Sequence, residues 1–242
     1  MKKYKYLLFD LDGTLTDSSE GILNCFIHAL KCMGKPVPER SELMKLIGPP
    51  LDVNFRELLG FSEEETEQGI KKYRERYSSV GWSENRPYDG IEELLKRLKA
   101  AGYTLAVATS KPEKFSVKIL EYFSLAGYFE TICGSGLDGT RDTKAEVIEE
   151  TLARLGADKA DAVMIGDRKY DIIGARQAGL ECIGAEWGFP QPGELKEFGA
   201  LFTAKTPAEL GDKLINESQK ICSGAAVGAD AFILRGEDTP EA

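Results

Sequence analysis

Short apolar runs alternate with longer amphipathic segments from residue 87 to about residue 219, and this alternation restricts the fold more than any other sequence feature. It predicts βαβ units, in which consecutive parallel strands are joined by helices. Each run is brief and mostly apolar, as expected for strands that helices cover on both faces. We therefore predict an α/β fold built on a parallel sheet. The candidate strands span residues 4–9, 104–108, 129–133, 162–165, 181–184 and 200–202, and the candidate helices span 91–100, 113–123, 144–155, 170–178 and 208–219.

Residues 16–86 follow a different pattern, with helical periodicity and no convincing strand. We predict an all-helical lobe inserted after the first strand. Ser62 and Glu65 have the spacing of a capping box at the start of its last helix. The turn-forming sequence NRPYDG at 85–90 marks the return of the chain to the sheet. The predicted helices of this lobe span residues 21–33, 40–46, 52–59 and 63–79. The predicted units are a core of residues 1–15 and 87–218, a helical cap of 16–86, and a C-terminal extension of 219–242 whose role is unknown.

The composition excludes several classes of partner. The formal net charge is -9 at pH 7, so the chain lacks the clustered basic residues that nucleic acids and anionic membrane surfaces require. Five cysteines without CxxC spacing argue against a disulfide framework and against a thiolate zinc site. With a single histidine, His28, histidine-based metal sites are implausible. We expect a cytoplasmic monomer or homodimer that acts on a small molecule, with no membrane span.

Two pairs of aspartates follow two of the predicted strands. Asp10 and Asp12 come directly after the strand at 4–9, and Asp167 and Asp171 come after the strand at 162–165. Open parallel sheets bind ligands at the carboxyl ends of their strands. Carboxylates this close repel one another unless a cation lies between them, and oxygen-only ligands favour Mg²⁺. The alternative is that Asp167 or Asp171 caps the helix that follows.

A hydroxyl pair and a lysine complete the candidate site. Thr109 and Ser110 end a predicted strand just before Pro112, which we place at the first position of a helix whose free amides would receive an anion. Thr143 and Glu146 have the spacing of a second capping box, and Lys144 then lies at the first position of that helix. We predict that the Lys144 ammonium reaches a group bound at the sheet edge.

Together, the sequences DLDGT, ATSK and GDRKYD and the lysine at 144 resemble the four motifs of the haloacid dehalogenase superfamily, in order and at suitable spacing. The resemblance covers residues 4–218. It implies a Rossmann-like core in three αβα layers and a helical cap inserted after the first motif, as in the phosphoglycolate phosphatase-like branch. It also implies a phosphoric monoester hydrolase that acts on a small phosphomonoester.

The resemblance implies a role for each motif residue. Asp10 matches the nucleophile that becomes a phospho-aspartate, and Asp12 matches the general acid and base. Mg²⁺ would be bound by Asp10, by the backbone carbonyl of Asp12 and by Asp167, with Asp171 in support. Lys144, which would pair with Asp10, matches a phosphate-binding residue. The other two phosphate-binding positions match Thr109 and Ser110.

The substrate is less well specified. The first interpretation is a phosphoglycolate phosphatase-like enzyme, and the alternative, from the sequence at 134–148, is a nucleoside 5'-monophosphate phosphatase. The sequence IGPPL resembles the specificity loop of the cap, which makes Gly48, Pro49 and Pro50 candidate substrate contacts, and Arg141 is a further candidate. More distant alternatives are a phosphomutase, a non-catalytic binding protein, and an NAD-dependent oxidoreductase suggested by the glycine pattern at 134–139.

Overall fold

The computed structural model of the chain describes residues 4–137 and 140–224. The strands are β1 (Tyr6–Phe9), β2 (Thr16–Asp17), β3 (Arg86–Pro87), β4 (Thr104–Pro112), β5 (Thr131–Ser135), β6 (Ala162–Gly166), β7 (Glu181–Ala185) and β8 (Thr203–Ala204). Six of them form one parallel sheet in the order β5-β4-β1-β6-β7-β8. Strand β1 is therefore central, with Phe9 level with Val107 of β4 and Ile165 of β6.

Helices cover both faces of this sheet. The helices are α1 (Ser19–Cys32), α2 (Arg40–Leu43), α3 (Leu51–Val53), α4 (Glu63–Arg76), α5 (Ile91–Ala100), α6 (Glu113–Tyr122), α7 (Lys144–Leu155), α8 (Lys169–Ala178), α9 (Glu194–Glu197) and α10 (Pro207–Gly224). Leu7 and Phe9 point to the face that packs against α5, α6 and α10, whereas Leu8 points to the face that packs against α7 and α8. This alternation along β1 gives two apolar layers. The predicted three-layer α/β core is confirmed.

The inserted region contains α1 to α4 around a core of its own, in which Phe26 lies 5.3 Å from Phe55 and 4.9 Å from Tyr73, measured between ring centroids. The predicted helix at 63–79 is α4 followed by a π-helix over Tyr77–Gly81, and the one at 52–59 is α3 followed by a π-helix over Asn54–Leu58. The expectation of no strand is wrong at the ends of this region. There, β2 and β3 pair antiparallel, Thr16 with Pro87, because the outgoing and returning chains run side by side.

The predicted boundaries of four strands are also wrong by two residues or more, among them β1, which begins at Tyr6 where residue 4 was predicted. Strand β5 begins two residues late because the Phe129 amide still donates to Ala126, at the end of a 3₁₀ turn. Strand β8 begins after residue 202 because the Ala200 amide donates back to Leu195 at the end of α9. Strand β4 runs through Pro112, so this proline precedes α6 and is not its first residue.

Local signals were more reliable. Both predicted capping boxes are present, Ser62 with Glu65 at α4 and Thr143 with Glu146 at α7. Residues 219–224 of the predicted extension continue α10, and residues 225–242 lie outside the described part of the chain. Within the described residues, no helix is long and apolar enough to cross a bilayer.

Candidate active site

The carboxyl ends of β1 and β6 bring three aspartates together. Asp10 follows β1, and its amide donates to the Ile165 carbonyl of β6 at 2.9 Å. Asp167 follows β6, and Asp171 lies in the first turn of α8. One carboxylate oxygen from each of the three aspartates lies within 4.8 Å of the others, and all three side chains are buried. Among the described residues, this is the one cluster of three or more such groups with metal-ligand spacing.

Lys144 lies between two of these carboxylates. Its Nζ is 2.7 Å from Asp10 Oδ1 and 2.8 Å from Asp171 Oδ1, and its side chain is buried. Burial opposes the charged ammonium, but the two carboxylates outweigh it and raise the pKa of Lys144. The capping box of Thr143 and Glu146 fixes the start of α7 and so the direction in which this lysine leaves the helix.

The negative charge of the site exceeds its positive charge. Among the described residues, Asp10, Asp12, Asp167 and Asp171 are paired with only two ammonium groups, those of Lys111 and Lys144. Arg168 also acts on Asp167, but it is itself paired with Glu194. Burial raises the pKa of Asp10 to about 6, against the opposing attraction of Lys144. Burial and the neighbouring carboxylates also raise the pKa of Asp167 well above its ordinary value. A divalent cation would balance this excess, so the donor set fits an oxygen-coordinated metal.

Asp167 and Asp171 have further partners. Asp167 accepts a hydrogen bond from the Thr14 hydroxyl at 3.3 Å and one from the Phe189 amide at 2.8 Å. Asp171 Oδ2 accepts the Arg168 amide at 3.1 Å, so this aspartate caps α8 and also faces the cluster. Asp171 therefore caps the helix and is also part of the cluster, so the capping alternative does not exclude a place in the candidate site.

The Asp12 side chain lies outside the three-carboxylate cluster. Its Oδ2 is paired with Lys111 Nζ, and its Oδ1 is buried without a hydrogen-bond partner. Of the two predicted hydroxyls, Thr109 is buried and its side chain hydrogen-bonds the Asp10 carboxylate. Ser110 is exposed, and its carbonyl accepts a hydrogen bond from the Ser135 hydroxyl at 2.9 Å.

The predicted specificity loop is held against the core by Arg168. This buried arginine pairs with the buried Glu194 at 3.2 Å and donates a hydrogen bond to the Ile47 carbonyl. Gly48 has φ = +107°, and a Cβ there would lie 2.4 Å from a guanidinium nitrogen of Arg168. Asn54 donates from the other side, to the carbonyls of Leu46 at 2.9 Å and Pro49 at 3.0 Å. The third loop residue of the prediction, Pro50, precedes α3.

Arg141 lies in the segment between β5 and α7, and its side chain contacts β5. Its Nε donates to the Gly134 carbonyl at 2.9 Å, and its guanidinium is 3.5 Å from Glu113. Neither partner is a predicted site residue. The glycine pattern of the oxidoreductase alternative begins here at Gly134, and its last two residues lie outside the described residues.

Two residues of the site were not predicted from the sequence, although each lies within one of the predicted motifs. Lys111 follows the two hydroxyls of ATSK, and Arg168 follows the first aspartate of GDRKYD. A basic residue inside each motif was the available signal. Their partners, Asp12 and the Ile47 carbonyl, are 99 and 121 residues away in the sequence, so no local rule pairs them.

The chain is similar to proteins of one known family. Residues 7–185 match the haloacid dehalogenase-like hydrolase family. A protein named 5'-nucleotidase from Pseudomonas aeruginosa is 44% identical over 194 residues, which cover 80% of this chain and 88% of that protein. A protein named tyrosine-protein kinase PtkA from Mycobacterium tuberculosis is 43% identical over 183 residues, 76% of this chain. The chain spans only 62% of the length of that kinase.

One more distant relative and one solved structure are also named as phosphatases. A phosphoglycolate phosphatase from Agrobacterium fabrum is 32% identical over 219 residues, 87% of this chain and 94% of that protein. The crystal structure of a predicted phosphatase from Clostridium acetobutylicum superimposes with a TM-score of 0.84 at 46% identity, over 89% of this chain and 100% of that one. These matches confirm the predicted superfamily and hydrolase class. The chain belongs to the haloacid dehalogenase-like hydrolase family.

Proposed function

We propose that the chain is a Mg²⁺-dependent phosphomonoesterase that works through a phospho-aspartate at Asp10 and prefers nucleoside 5'-monophosphates. The observation that carries the proposal is the buried, charge-unbalanced cluster of Asp10, Asp167 and Asp171 with Lys144 at its centre. Such a cluster is costly to bury unless it binds a cation, and carboxyl groups with raised pKa values are common at functional sites.

Asp10 is the proposed nucleophile. Its Oδ1 is held by Lys144 and its carboxylate also receives the Thr109 hydroxyl, so the side chain is fixed in one orientation. In the proposed first step the carboxylate forms a bond to phosphorus while the bond from phosphorus to the ester oxygen breaks. Water then hydrolyses the acyl phosphate and releases inorganic phosphate, which regenerates Asp10.

Asp12 is the proposed general acid in the first step and general base in the second. Its buried Oδ1 has no hydrogen-bond partner and is available for a proton transfer with the leaving oxygen or with water. The phosphoryl oxygens would be bound by the Lys144 ammonium and by the Thr109 and Ser110 hydroxyls. Lys144 and Thr109 donate to Asp10 in the structure and would give up or share these bonds when the phosphoryl group binds. Donors placed in this way stabilise charge as it develops in the transition state.

The metal would be bound by Asp10, Asp167 and the backbone carbonyl of Asp12, with Asp171 in support. When bound, a divalent cation neutralises phosphoryl oxygens and so lowers the repulsion between a carboxylate and a phosphate ester. All the candidate donors are oxygens, which favours Mg²⁺ over zinc.

The choice of substrate class follows the more similar relative. The protein named 5'-nucleotidase is 44% identical, against 32% for the protein named phosphoglycolate phosphatase. This difference favours the alternative of the sequence analysis over its first interpretation. Gly48, Pro49, Pro50 and Arg141 stay proposed substrate contacts, although the Pro49 carbonyl and the Arg141 side chain already have hydrogen-bond partners within the protein.

The test is phosphate release from nucleoside 5'-monophosphates and from phosphoglycolate, with Mg²⁺ or with a chelator. We expect Mg²⁺-dependent release that is faster for the nucleotides and absent in Asp10→Asn. No release from any ester by the parent protein would reject the hydrolase, and undiminished release by the variant would reject Asp10 as the nucleophile. Faster release from phosphoglycolate would reject the substrate class alone.

One relative is named as a tyrosine kinase, so a second test must decide whether the phosphoryl group passes to water or to a tyrosine. The same assay answers it when ATP and a tyrosine-containing polymer replace the ester. We expect water as the acceptor and no phosphotyrosine. Transfer to tyrosine at a rate above phosphate release would contradict the proposal.

A further inference from the structure

Lys111 connects the inserted helical region to the core at the proposed general acid. Its Nζ pairs with Asp12 Oδ2 in the core and lies 4.9 Å from the ring centroid of Tyr77 in the inserted region. We propose that Lys111 is a positioning residue, which holds Asp12 in place to protonate the leaving oxygen and does so fully only when Tyr77 covers it. This inference rests on the proposed function, because it takes Asp12 as the general acid.

The backbone around Lys111 directs its side chain towards Asp12. The pairing of β4 with β5 shifts register between Thr109 and Pro112, which is the signature of a bulge. Bulges commonly lie beside active sites, where they redirect a side chain. Gly134 on β5 permits this one, because a Cβ there would lie 2.4 Å from the Lys111 carbonyl oxygen and 2.6 Å from the Glu113 amide.

The contacts of Lys111 are shielded from water. Its side chain is 7% exposed, and that of Asp12 is 20% exposed. The Tyr77 ring is buried and meets Phe115 of α6 edge to face, with 5.1 Å between the ring centroids. An ion pair and a cation–π contact are both stronger where water is excluded. The Tyr77 ring therefore strengthens the hold of Lys111 on Asp12 for as long as it stays in place.

The arrangement leaves one carboxylate oxygen of Asp12 free. Lys111 occupies Oδ2, whereas Oδ1 is buried without a partner. Pinning one oxygen limits the rotation of the carboxylate and so fixes the direction of the other. Loss of Lys111 should leave Asp12 present but poorly aimed, and proton delivery should suffer more than phosphate binding.

The leaving group separates this role from a merely structural one. An alkyl phosphate expels a strongly basic alkoxide that needs a proton, whereas para-nitrophenyl phosphate expels a weakly basic phenolate that needs little help. We expect Lys111→Met to lower kcat/KM, which covers the steps up to loss of the leaving group and not the later hydrolysis, about 30-fold on a nucleoside 5'-monophosphate and less than about 3-fold on para-nitrophenyl phosphate. Retained activity on the aryl ester also shows that the variant is folded.

Matched variants complete the experiment. Lys114→Met removes an exposed lysine three residues away and should leave both rates unchanged. Lys111→Arg keeps the cation and should restore part of the alkyl-ester rate. Tyr77→Leu should shift the ratio of the two rates in the same direction as Lys111→Met, and Tyr77→Phe, which keeps the ring, should shift it less.

A third variant, at Asp12, distinguishes failure of the inference from failure of the proposed function on which it rests. In kcat/KM, Asp12→Asn should show the same selectivity for the alkyl ester, with a larger loss. If Asp12→Asn is selective and Lys111→Met lowers kcat/KM equally for both esters or for neither, the inference is overturned and the proposed function stands. If Asp12→Asn lowers kcat/KM equally for both esters, the proposed role of Asp12 as general acid fails, and the inference fails with it.

Discussion

The carboxylate cluster of the core and the predicted specificity loop of the inserted region are held in place by different means. In the core, the side chains contact one another directly, as Lys144 does with Asp10 and Asp171. In the inserted region, Arg168 and Asn54 hold the loop through backbone carbonyls, those of Ile47 and Pro49 among them. Contacts to carbonyls do not depend on the loop side chains. Apart from Gly48, where a Cβ would meet Arg168, the loop can therefore vary in sequence while the core chemistry stays fixed.

The largest effect should come from breaking the core cluster at Lys144. Lys144→Met would leave Asp10 and Asp171 without their shared cation and remove a donor to the phosphoryl group. We expect kcat for phosphate release to fall about 1000-fold. Lys159→Met, which removes an exposed lysine, is the control and should have no effect. A fall of less than tenfold in Lys144→Met would show that direct contacts do not govern the core site.

Removing the charge of Glu194 should weaken the contact between Arg168 and the predicted specificity loop of the inserted region. Glu194→Gln leaves the buried Arg168 unpaired, and we expect the free energy of unfolding to fall by about 3 kcal/mol. Because Arg168 also holds the Ile47 carbonyl, KM should rise while kcat changes little. Glu197→Gln, on the exposed side of the same short helix, should change neither quantity. A loss of kcat without a change in KM would contradict the separation of the two regions.

The affinity for Mg²⁺ should depend on pH because the metal competes with protons. The Asp10 carboxyl, with a pKa of about 6, must lose its proton to bind the ion. We expect the apparent affinity to rise about tenfold from about pH 5 to about pH 7 in calorimetric titrations. Equal affinity at the two pH values would show that Asp10 is no ligand.

The same pKa shift fixes the sign of the stability change in metal-free protein. A raised pKa means that the folded state holds the Asp10 proton more tightly than the unfolded state does. The contribution of Asp10 to the free energy of unfolding, taken as the difference between the parent and Asp10→Asn, should then fall as the pH rises from about 4 to about 6, and added Mg²⁺ should reverse the fall. Chemical unfolding of both proteins at each pH, with and without the ion, measures this difference. A rise in the difference over that range without the metal would contradict the assignment.

The smallest effects should come from the two capping boxes, one in each region. Ser62→Ala and Thr143→Ala each remove one cap, and each should lower the free energy of unfolding by about 1 kcal/mol. Only Thr143→Ala should also slow phosphate release, because α7 positions Lys144. Equal effects of the two variants on activity would show that the start of α7 does not position the lysine.

The sequence predicted those parts of the site that local rules determine. Asp10 and Asp167 end short apolar runs, and the carboxyl ends of neighbouring parallel strands meet. Thr143 and Glu146 are three residues apart, as a capping box requires, so the start of α7 and the position of Lys144 followed. The inserted helices were predictable as helices, but not where they change to π-helices, because packing decides those changes.

The remainder depends on contacts between distant parts of the chain. The proposed role of Lys111 requires the bulge in β4, and that bulge depends on Gly134 of the neighbouring strand. The positive φ of Gly48 and its lack of a side chain leave room for Arg168 beside it, whereas the sequence suggested a substrate contact. Neither relation follows from spacing along the chain.

The central claim is that Asp10 accepts the phosphoryl group, and rapid acid quenching during turnover tests it most directly. We predict a phosphoryl adduct on the peptide that contains Asp10, detected by mass spectrometry in the presence of Mg²⁺ and a nucleoside 5'-monophosphate. Asp10→Asn should show no adduct and no phosphate release. An adduct on another residue, or turnover by the variant without an adduct, would contradict the account.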